Sequence, residues 1–359
     1  MCSSGPVATW YHRQDYPWDR ACKVLHAILR CGGSRINQTL AKITVAIAAL
    51  NILNLFYSCN IFYTRQVVLV NVSCLALFWI TAEIVTVKRL PVLLWVMVGS
   101  ALIISGIAWY QWGNSKPVIS TLGNTNYLGA FLILGIFAGL SLLKPAFLIP
   151  YLGVIMGALV LSRARASWIA VTVGLIVWGY LSMTRRVFAL SMAVGLLAGV
   201  VGWLTVVPQD WMALNTIGYR LKYWQAAGEL IKDSPLIGIG FDGYRVKVYD
   251  AQARINQRNP GWFNGYQDPK PRRVHNDYLQ ALVDGGLLYA MTYFGFVFWI
   301  LARSFQAAKS NPVIRGIWCA QVSTLVVALF FFPLRLIDTT MLFHVNLGVL
   351  CSPACASST

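Results

Sequence analysis

Charged side chains are few in this sequence, and acidic ones are the fewest. Only 11% of the 359 residues are charged, with 12 Asp and Glu against 29 Lys and Arg, while 57% are hydrophobic. About a quarter of the residues of an ordinary soluble domain are charged. The composition therefore excludes a soluble globular protein and indicates an integral membrane protein.

The motifs that hold metals and disulfides are also missing. The sequence has no C-x-x-C, no H-E-x-x-H and no Asp-x-Asp pattern, and only four histidines. None of its eight cysteines lies in the long polar loop that precedes His275. A zinc site, a disulfide framework and a protein-bound catalytic metal have little support, and we expect no cofactor.

A net charge of +17 would suit nucleic acid, but the basic residues do not form one patch. They stand singly or in pairs at the ends of apolar runs, where Lys and Arg normally flank membrane spans. We therefore expect membrane lipids as partners and no nucleic acid. A further group of basic residues lies in the loop before His275, and this placement suits an anionic ligand at the membrane surface.

Apolar runs alternate with short connections along the chain. If each span needs about 20 apolar residues, the chain holds about ten transmembrane helices. This pattern predicts an all-α integral membrane protein with one long external loop that contains an amphipathic helix. The predicted spans are 36–57, 66–87, 90–110, 124–143, 146–161, 166–183, 187–206, 278–302, 313–332 and 340–351.

The positive charges predict the topology. With both termini in the cytoplasm, the cytoplasmic connections are short and basic, as the positive-inside rule requires. No cleavable signal peptide is expected, because the first apolar run begins only near Ile36. The predicted regions are a cytoplasmic N-terminal segment (1–35), a seven-helix membrane region (36–206), a long external loop (207–277) and a C-terminal membrane region (278–359).

The external loop has two parts. Residues 214–233 place apolar side chains at helical spacing, which predicts an amphipathic helix on the membrane; these are Leu214, Ile217, Leu221, Trp224, Gly228 and Ile231. The following Gly238-Ile-Gly240-Phe-Asp-Gly243 formally matches a dinucleotide fingerprint, but it follows a helix pattern, so we expect a turn. The remaining aromatics could stack on sugars, form an interfacial belt or build a small core; they are Tyr244, Tyr249, Trp262, Phe263 and Tyr266.

His275 lies at the entrance of the predicted span 278–302. A neutral imidazole at this place can accept a proton near neutral pH. The helix dipole disfavours its protonated form and favours nearby anions. Either Asn276 or Asp277 can cap the helix. The alternative is that His275 is an ordinary interfacial residue in a helix cap.

Arginines from separate parts of the chain are predicted on the same side as His275. Arg163 and Arg165 precede the sixth span, Arg220 lies on the amphipathic helix, and Arg335 lies in the last hairpin. Several guanidinium groups on one face form a phosphate site, because the planar fork binds phosphate oxygens bidentately. Ordinary contact with lipid headgroups is the alternative.

Four stretches, in this order, resemble the motifs of one family, the O-antigen ligase and O-antigen polymerase family. The resemblance covers roughly residues 120 to 300, and family members usually have more spans than are predicted here. The stretches are Gly123-Asn-Thr-Asn126-Tyr-Leu-Gly-Ala, Ser162-Arg-Ala-Arg165-Ala-Ser-Trp168, Tyr219-Arg220-Leu-Lys-Tyr-Trp224 running on to Asp233-Ser-Pro235-Leu-Ile-Gly238-Ile-Gly240, and His275-Asn-Asp-Tyr-Leu-Gln280 followed by Gly285-Gly286.

The resemblance implies a membrane glycosyltransferase of the C type, a multi-pass protein of the inner (plasma) membrane whose long loop is periplasmic. Such enzymes need no metal. They take a glycan from undecaprenyl pyrophosphate and transfer it to lipid A-core in lipopolysaccharide biosynthesis, to another repeat unit, or to a protein hydroxyl. The resemblance further implies that His275 is the base that deprotonates the acceptor, and that Arg165 and Arg220 hold the pyrophosphate. The other candidate site residues are Arg163 and Arg335 for the donor, with Asn276, Asp277, Asn126 and Trp224 in supporting positions.

Other interpretations stay open. Within the family, a polymerase or a protein O-glycosyltransferase is possible, because acceptor identity depends on loop shape. Outside it, a transporter or flippase for an anionic lipid or a polysaccharide would also use external arginines. That interpretation is disfavoured because ionisable groups are scarce in the spans, and neither repeated halves nor broken helices are visible. An inactive structural relative is a third possibility.

Overall fold

The computed structural model describes residues 35–193, 215–263 and 271–352 together with Cys355, and within these ranges it contains helices, turns and no strand. Two short 3-10 turns, Ser120–Leu122 and Pro333–Arg335, lie between helices. The helices are α1 (Arg35–Tyr57), α2 (Ile61–Ile84), α3 (Leu90–Gly113), α4 (Thr125–Leu142), α5 (Pro145–Leu161), α6 (Arg165–Ser182), α7 (Asn215–Asp233), α8 (Tyr244–Arg258), α9 (Asp277–Ser310), α10 (Pro312–Val327) and α11 (Ile337–Cys351).

Six helices of the described part are long and apolar enough to cross a bilayer, namely α1, α2, α3, α4, α6 and α9. Three further apolar helices, α5, α10 and α11, are shorter. The all-helical architecture and the membrane character are thus confirmed, whereas the predicted count of about ten spans is not. The predicted span 187–206 lies mostly outside the described residues.

The described residues before Ile47 belong to one compact unit, and those from Ile47 onward form a second unit that contains every candidate site residue. Within the second unit, α4 is the most deeply buried candidate span. Small residues allow its neighbours to approach closely, as is usual between membrane helices. A Cβ atom on Gly316 of α10, for example, would meet Ser141 and the Phe137 carbonyl of α4.

The connections that the topology assigned to the side of the long loop contact one another. The Cys59 amide, between α1 and α2, donates to the Ile239 carbonyl at 3.2 Å. The Thr64 hydroxyl donates to the Phe241 carbonyl at 2.7 Å. The Asp277 amide donates to the Ala328 carbonyl, after α10, at 2.8 Å. These connections therefore share one end of the helices, and its identity as the periplasmic face stays a prediction.

The helix predicted at 214–233 is confirmed as α7, but its buried face differs from the predicted one. Leu221 is 50% exposed, whereas the small residues Ala226 and Ala227 are fully buried. Their size allows α8, which was not predicted, to pack closely against α7. The core between them is formed by Ala226, Ala227, Leu230, Tyr244, Val248, Ala251, Ile255, Val274 and Val283, with Trp224, Ile231 and Trp262 packed against it.

Helix α9 is broken at Gly286, whose φ of 67° and ψ of −174° are not helical. The break leaves backbone groups that need partners, because an unpaired amide or carbonyl in a membrane is costly. The segment after α7 supplies them. The Leu287 and Leu288 amides donate to the Pro235 and Leu236 carbonyls at 2.8 and 3.1 Å, and the Ile239 and Gly240 amides donate to the Val283 and Asp284 carbonyls at 2.9 and 3.0 Å.

Glycines make this junction possible. A Cβ atom on Gly238 would lie 2.5 Å from the Asp284 backbone, and one on Gly286 would meet the Leu236 carbonyl. Gly238 and Gly240 also have positive φ, which confirms the predicted turn. From the sequence, a transporter is disfavoured partly because no broken helix is visible. The break in α9 removes that argument.

Candidate active site

His275 precedes α9 and is half-buried. Its φ of 57° lies in the left-handed region, which non-glycine residues seldom occupy. The following Asn276 caps α9, because its side-chain oxygen accepts from the Leu279 amide at 3.0 Å. Such a conformation persists only where the surroundings impose it, and it is found disproportionately at functional sites.

Aromatic rings surround the imidazole. Tyr223 of α7 stacks on it with ring centroids 5.5 Å apart and an interplanar angle of 28°. Phe332 packs edge-on at 5.0 Å, and Phe331 lies at 6.0 Å. Tyr127, in the first turn of α4, contacts both phenylalanines at 5.8 and 6.0 Å. Two segments that are distant in sequence, α7 and the turn after α10, thus meet at His275, and α4 packs against the second of them.

Arg165 and Arg220 lie close enough to repel each other. Arg165 is the first residue of α6, and Arg220 is in the second turn of α7. Burial lowers the pKa of the Arg220 guanidinium, and the positive charge of Arg165 lowers it further, while Tyr223 acts in the opposite direction. Tyr223 therefore contacts His275 and also lies near Arg220.

The first two family-like stretches pack on each other. A Cβ atom on Gly129 of α4 would lie 2.5 Å from the Ala164 side chain and 2.7 Å from the Ser167 hydroxyl. The Trp168 indole donates to the Leu159 carbonyl at 2.9 Å and fixes the start of α6 against the end of α5. The ends of α4 and α6 that carry Asn126 and Arg165 are therefore neighbours.

Asn126 and Arg163, the other candidate residues of these two stretches, differ in exposure and in backbone conformation. Asn124, rather than Asn126, caps α4, since its side chain accepts from the Asn126 amide at 2.8 Å. Asn126 itself is half-buried in the first helical turn. Arg163 is exposed, and its φ of 56° is also left-handed. Its carbonyl accepts from the Arg165 amide at 2.9 Å, so this turn sets where α6 begins.

The helix ends in this region carry a common electrostatic bias. The helices α4, α6 and α9 begin next to Asn126, Arg165 and His275 respectively. Each helix N-terminus has a partial positive charge and unpaired amides, and both favour an anion. The arrangement suits a ligand with several negative charges.

A network of buried ion pairs lies beside the site. Asp242 pairs with Arg273 and, at 3.2 Å, with Arg245. Asp284 pairs with Arg335 at 3.3 Å. Although it lies in the polar loop before His275, Arg273 is not a surface charge, because its side chain is only 22% exposed and is bound to Asp242. Burial lowers the pKa of Arg273, and Asp242 opposes this shift.

The ion pairs separate the arginines into two groups. Within residues 35–193, 215–263 and 271–352, carboxylates pair with Arg245, Arg254, Arg258, Arg273 and Arg335, and none pairs with Arg220. A partly buried guanidinium with another cation nearby is well suited to an external anion. Arg220 has this setting because Arg165 lies near it, whereas Arg335 is paired with Asp284.

Two other candidate residues have structural contacts. Asp277 is buried, and its carboxylate accepts from the Leu334 amide at 2.9 Å. Trp224 packs against the core between α7 and α8. Sequence reasoning missed Tyr127, Tyr223, Phe331 and Phe332; the first two lie next to Asn126 and one helical turn after Arg220, but nothing local marks the phenylalanines.

The comparisons with known proteins agree with the motifs. The family model described as O-antigen ligase matches residues 150–294, less than half of the chain. No curated protein matches the chain. The matched segment contains Arg165, Arg220 and His275, and therefore three of the four stretches singled out in the sequence. The resemblance is thus confirmed: residues 150–294 carry the signature of the O-antigen ligase family, whose members are membrane glycosyltransferases.

Proposed function

We propose that this protein moves a glycan from undecaprenyl pyrophosphate to an acceptor hydroxyl, with lipid A-core as the first acceptor to test. The proposal places the reaction at the periplasmic face of the inner membrane, with both termini in the cytoplasm. One observation carries it: Tyr223 stacks on His275 and also lies near Arg220, which is itself close to Arg165. A binding group for a polyanion and a proton acceptor are thereby within reach of one substrate.

The arginine pair supports donor binding. A pyrophosphate presents several oxygens, and guanidinium groups bind such oxygens bidentately. Two like charges held together cost free energy until an anion arrives, so the pair favours the loaded state. Arg163, in the turn before Arg165, lies where it can extend this site.

His275 supports the base role. In the proposed step, the acceptor oxygen attacks the anomeric carbon while the bond from that carbon to the pyrophosphate oxygen breaks. The proton of the acceptor hydroxyl goes to His275, and the bonding electron pair leaves with the pyrophosphate. The arginines and the helix N-termini stabilise the charge that develops on the leaving group. Carbon–oxygen exchange of this kind requires no redox change, and the proposal assigns no role to a metal.

The acceptor distinguishes the proposed ligase from a polymerase or a protein O-glycosyltransferase of the same family. In a knockout strain, loss of long lipopolysaccharide with accumulation of carrier-linked polymer indicates a ligase. Lipopolysaccharide with single-repeat caps indicates a polymerase. Loss of glycan from a protein with intact lipopolysaccharide indicates a protein O-glycosyltransferase. Complementation with wild type and with His275→Ala connects each phenotype to the site.

A transporter or flippase remains a second candidate because α9 is broken at Gly286 and buries Asp284. Broken helices and buried charges are typical of transporters. Here, however, the break is joined to the segment 235–240 by four backbone hydrogen bonds. Purified protein in detergent separates the two functions, since a transporter forms no new glycosidic bond there.

A further inference from the structure

The last hairpin is attached to α9 at three points. The Leu334 amide donates to the Asp277 carboxylate at 2.9 Å. Arg335 pairs with Asp284 at 3.3 Å. The Ala328 carbonyl accepts from the Asp277 amide at 2.8 Å. The Asp277 and Asp284 carboxylates therefore hold the end of the turn at Leu334 and Arg335, and the Asp277 backbone amide holds the other end at Ala328.

This turn carries the aromatic rings that contact His275. Phe331 and Phe332 stack on each other with centroids 4.2 Å apart. Phe332 lies edge-on to the imidazole at 5.0 Å. Both phenylalanines are buried, so their contact with His275 is part of the packed structure rather than an open sugar platform. A displacement of this turn would therefore move the two phenylalanine rings that pack against the imidazole.

Arg335 and its partner Asp284 are both buried. Its side chain is 9% exposed, and that of Asp284 is 0% exposed. Asp284 is held further by the Gln280 side chain, which donates at 2.9 Å and accepts from the Val274 amide, next to His275, at 2.9 Å. Burial lowers the pKa of Arg335, but Asp284, Tyr289 and the other nearby carboxylates more than offset it, and the pKa lies above its ordinary value.

Arg335 and Asp277 also line one small cavity of about 20 Å³, together with Asn71, Tyr289 and Thr340. This volume is about what a single water molecule needs. Arg335 therefore faces carboxylates and a water-sized space. A buried guanidinium with this neutralising partner stabilises the packing around it, and removing either partner leaves an uncompensated buried charge.

We propose that Arg335 is a positioning residue for His275: paired with Asp284, it holds the Phe331–Phe332 turn against the imidazole and does not bind the pyrophosphate. This inference rests on the proposed function, because His275 must be the base for its orientation to affect turnover. It replaces the donor-binding role that the position of Arg335 in the last hairpin suggested.

Charge-balanced variants test the inference. Arg335→Met leaves Asp284 buried and unpaired, and we expect kcat to fall about 100-fold, as a misplacement of about 1 Å can cause. The KM for a carrier-linked glycan should stay within about twofold of wild type, because the pyrophosphate site is intact. The double variant Arg335→Met with Asp284→Asn removes both charges, and it should recover at least about tenfold of the lost kcat.

A ligand of the pyrophosphate behaves differently. If Arg335 binds the donor, Arg335→Met raises the donor KM, and removing the Asp284 charge restores nothing. That result overturns the inference. Arg254→Met is the matched control, since the ion pair that Arg254 forms with Asp233 is exposed, with both side chains 41% accessible; it should transfer glycan like wild type.

A second variant applies if Arg335→Met cannot be purified. Phe332→Leu keeps the ion pair and removes the edge-on ring contact with His275. It should lower kcat with an unchanged donor KM and shift the pH–rate profile, because water reaches the imidazole. A wild-type kcat and pH profile in Phe332→Leu overturns the inference. Failure of the proposed function gives a separate result: wild type makes no product, or His275→Ala makes as much as wild type.

Discussion

The ring of Tyr223 stacks on that of His275, with centroids 5.5 Å apart and planes within 28° of parallel. Tyr223 stands one helical turn after Arg220, so this single contact connects α7 to the start of α9 and the arginine pair to the histidine. The stack defines the orientation of the imidazole that the proposed proton transfer needs.

Replacement of Tyr223 tests the importance of the stack. Tyr223→Ala removes an aromatic contact that typically contributes about 0.5–1.5 kcal/mol, so we expect kcat to fall about twofold to tenfold. Tyr223→Phe keeps the ring and should stay near wild type. Transfer rates of purified variants at saturating donor provide the measurement. Equal rates for Ala and Phe would show that the stack has no catalytic effect.

Replacement of Arg165 or Arg220 tests the donor site. A charge-assisted hydrogen bond contributes about 1.5–3 kcal/mol, so Arg165→Ala should raise the donor KM about tenfold to 100-fold. Arg165→Lys should recover only part of this, because an ammonium group cannot form the bidentate contact. Arg186→Ala, an exposed arginine beyond the other end of α6, is the control. An unchanged donor KM in Arg165→Ala counts against its role.

The break in α9 predicts a contrast between two glycines of the same helix. Gly286 has positive φ, and an added Cβ would meet the Leu236 carbonyl, whereas an added Cβ on Gly295 meets nothing within 4 Å. Gly286→Ala should therefore lose more than about 1 kcal/mol of stability, and Gly295→Ala should lose none. Thermal unfolding in detergent measures both. Equal Tm values would mean that the 235–240 segment does not pack against the break.

The sequence predicted the elements whose signals are local. The bounds of α7, the turn at Gly238 to Gly243 and the cap at the start of α9 follow from neighbouring residues, and they agree with the structure. The helix α8 was missed although Tyr244, Val248, Ala251 and Ile255 have helical spacing, because charged residues between them hide the apolar stripe. A longer window would have found it.

The rest of the site depends on tertiary packing. Arg335 and Asp284 are about fifty residues apart, and no local pattern marks them as partners. The same applies to Arg273, which differs from the exposed Arg272 beside it only because Asp242 lies within reach. In the sequence, the phenylalanines around His275 cannot be distinguished from other apolar residues of a span. Their contact with His275 depends on the packing of the last hairpin against α9.

The role of His275 can be tested with two variants. His275→Ala removes the proposed base, and positioned general bases contribute about 100- to 10,000-fold, so transfer should fall by that factor. His275→Gln keeps much of the side-chain volume without a group that accepts a proton near neutral pH, and it should be equally slow. Both variants should purify like wild type and bind the donor with an unchanged Kd, because the arginine pair is intact.

The most direct measurement uses purified protein in detergent with undecaprenyl-pyrophosphate-linked glycan and lipid A-core. The account predicts that wild type forms glycosylated lipid A-core and releases undecaprenyl pyrophosphate in equal amounts, and that His275→Ala forms neither while still binding the donor. Product formed by His275→Ala at the wild-type rate would contradict it.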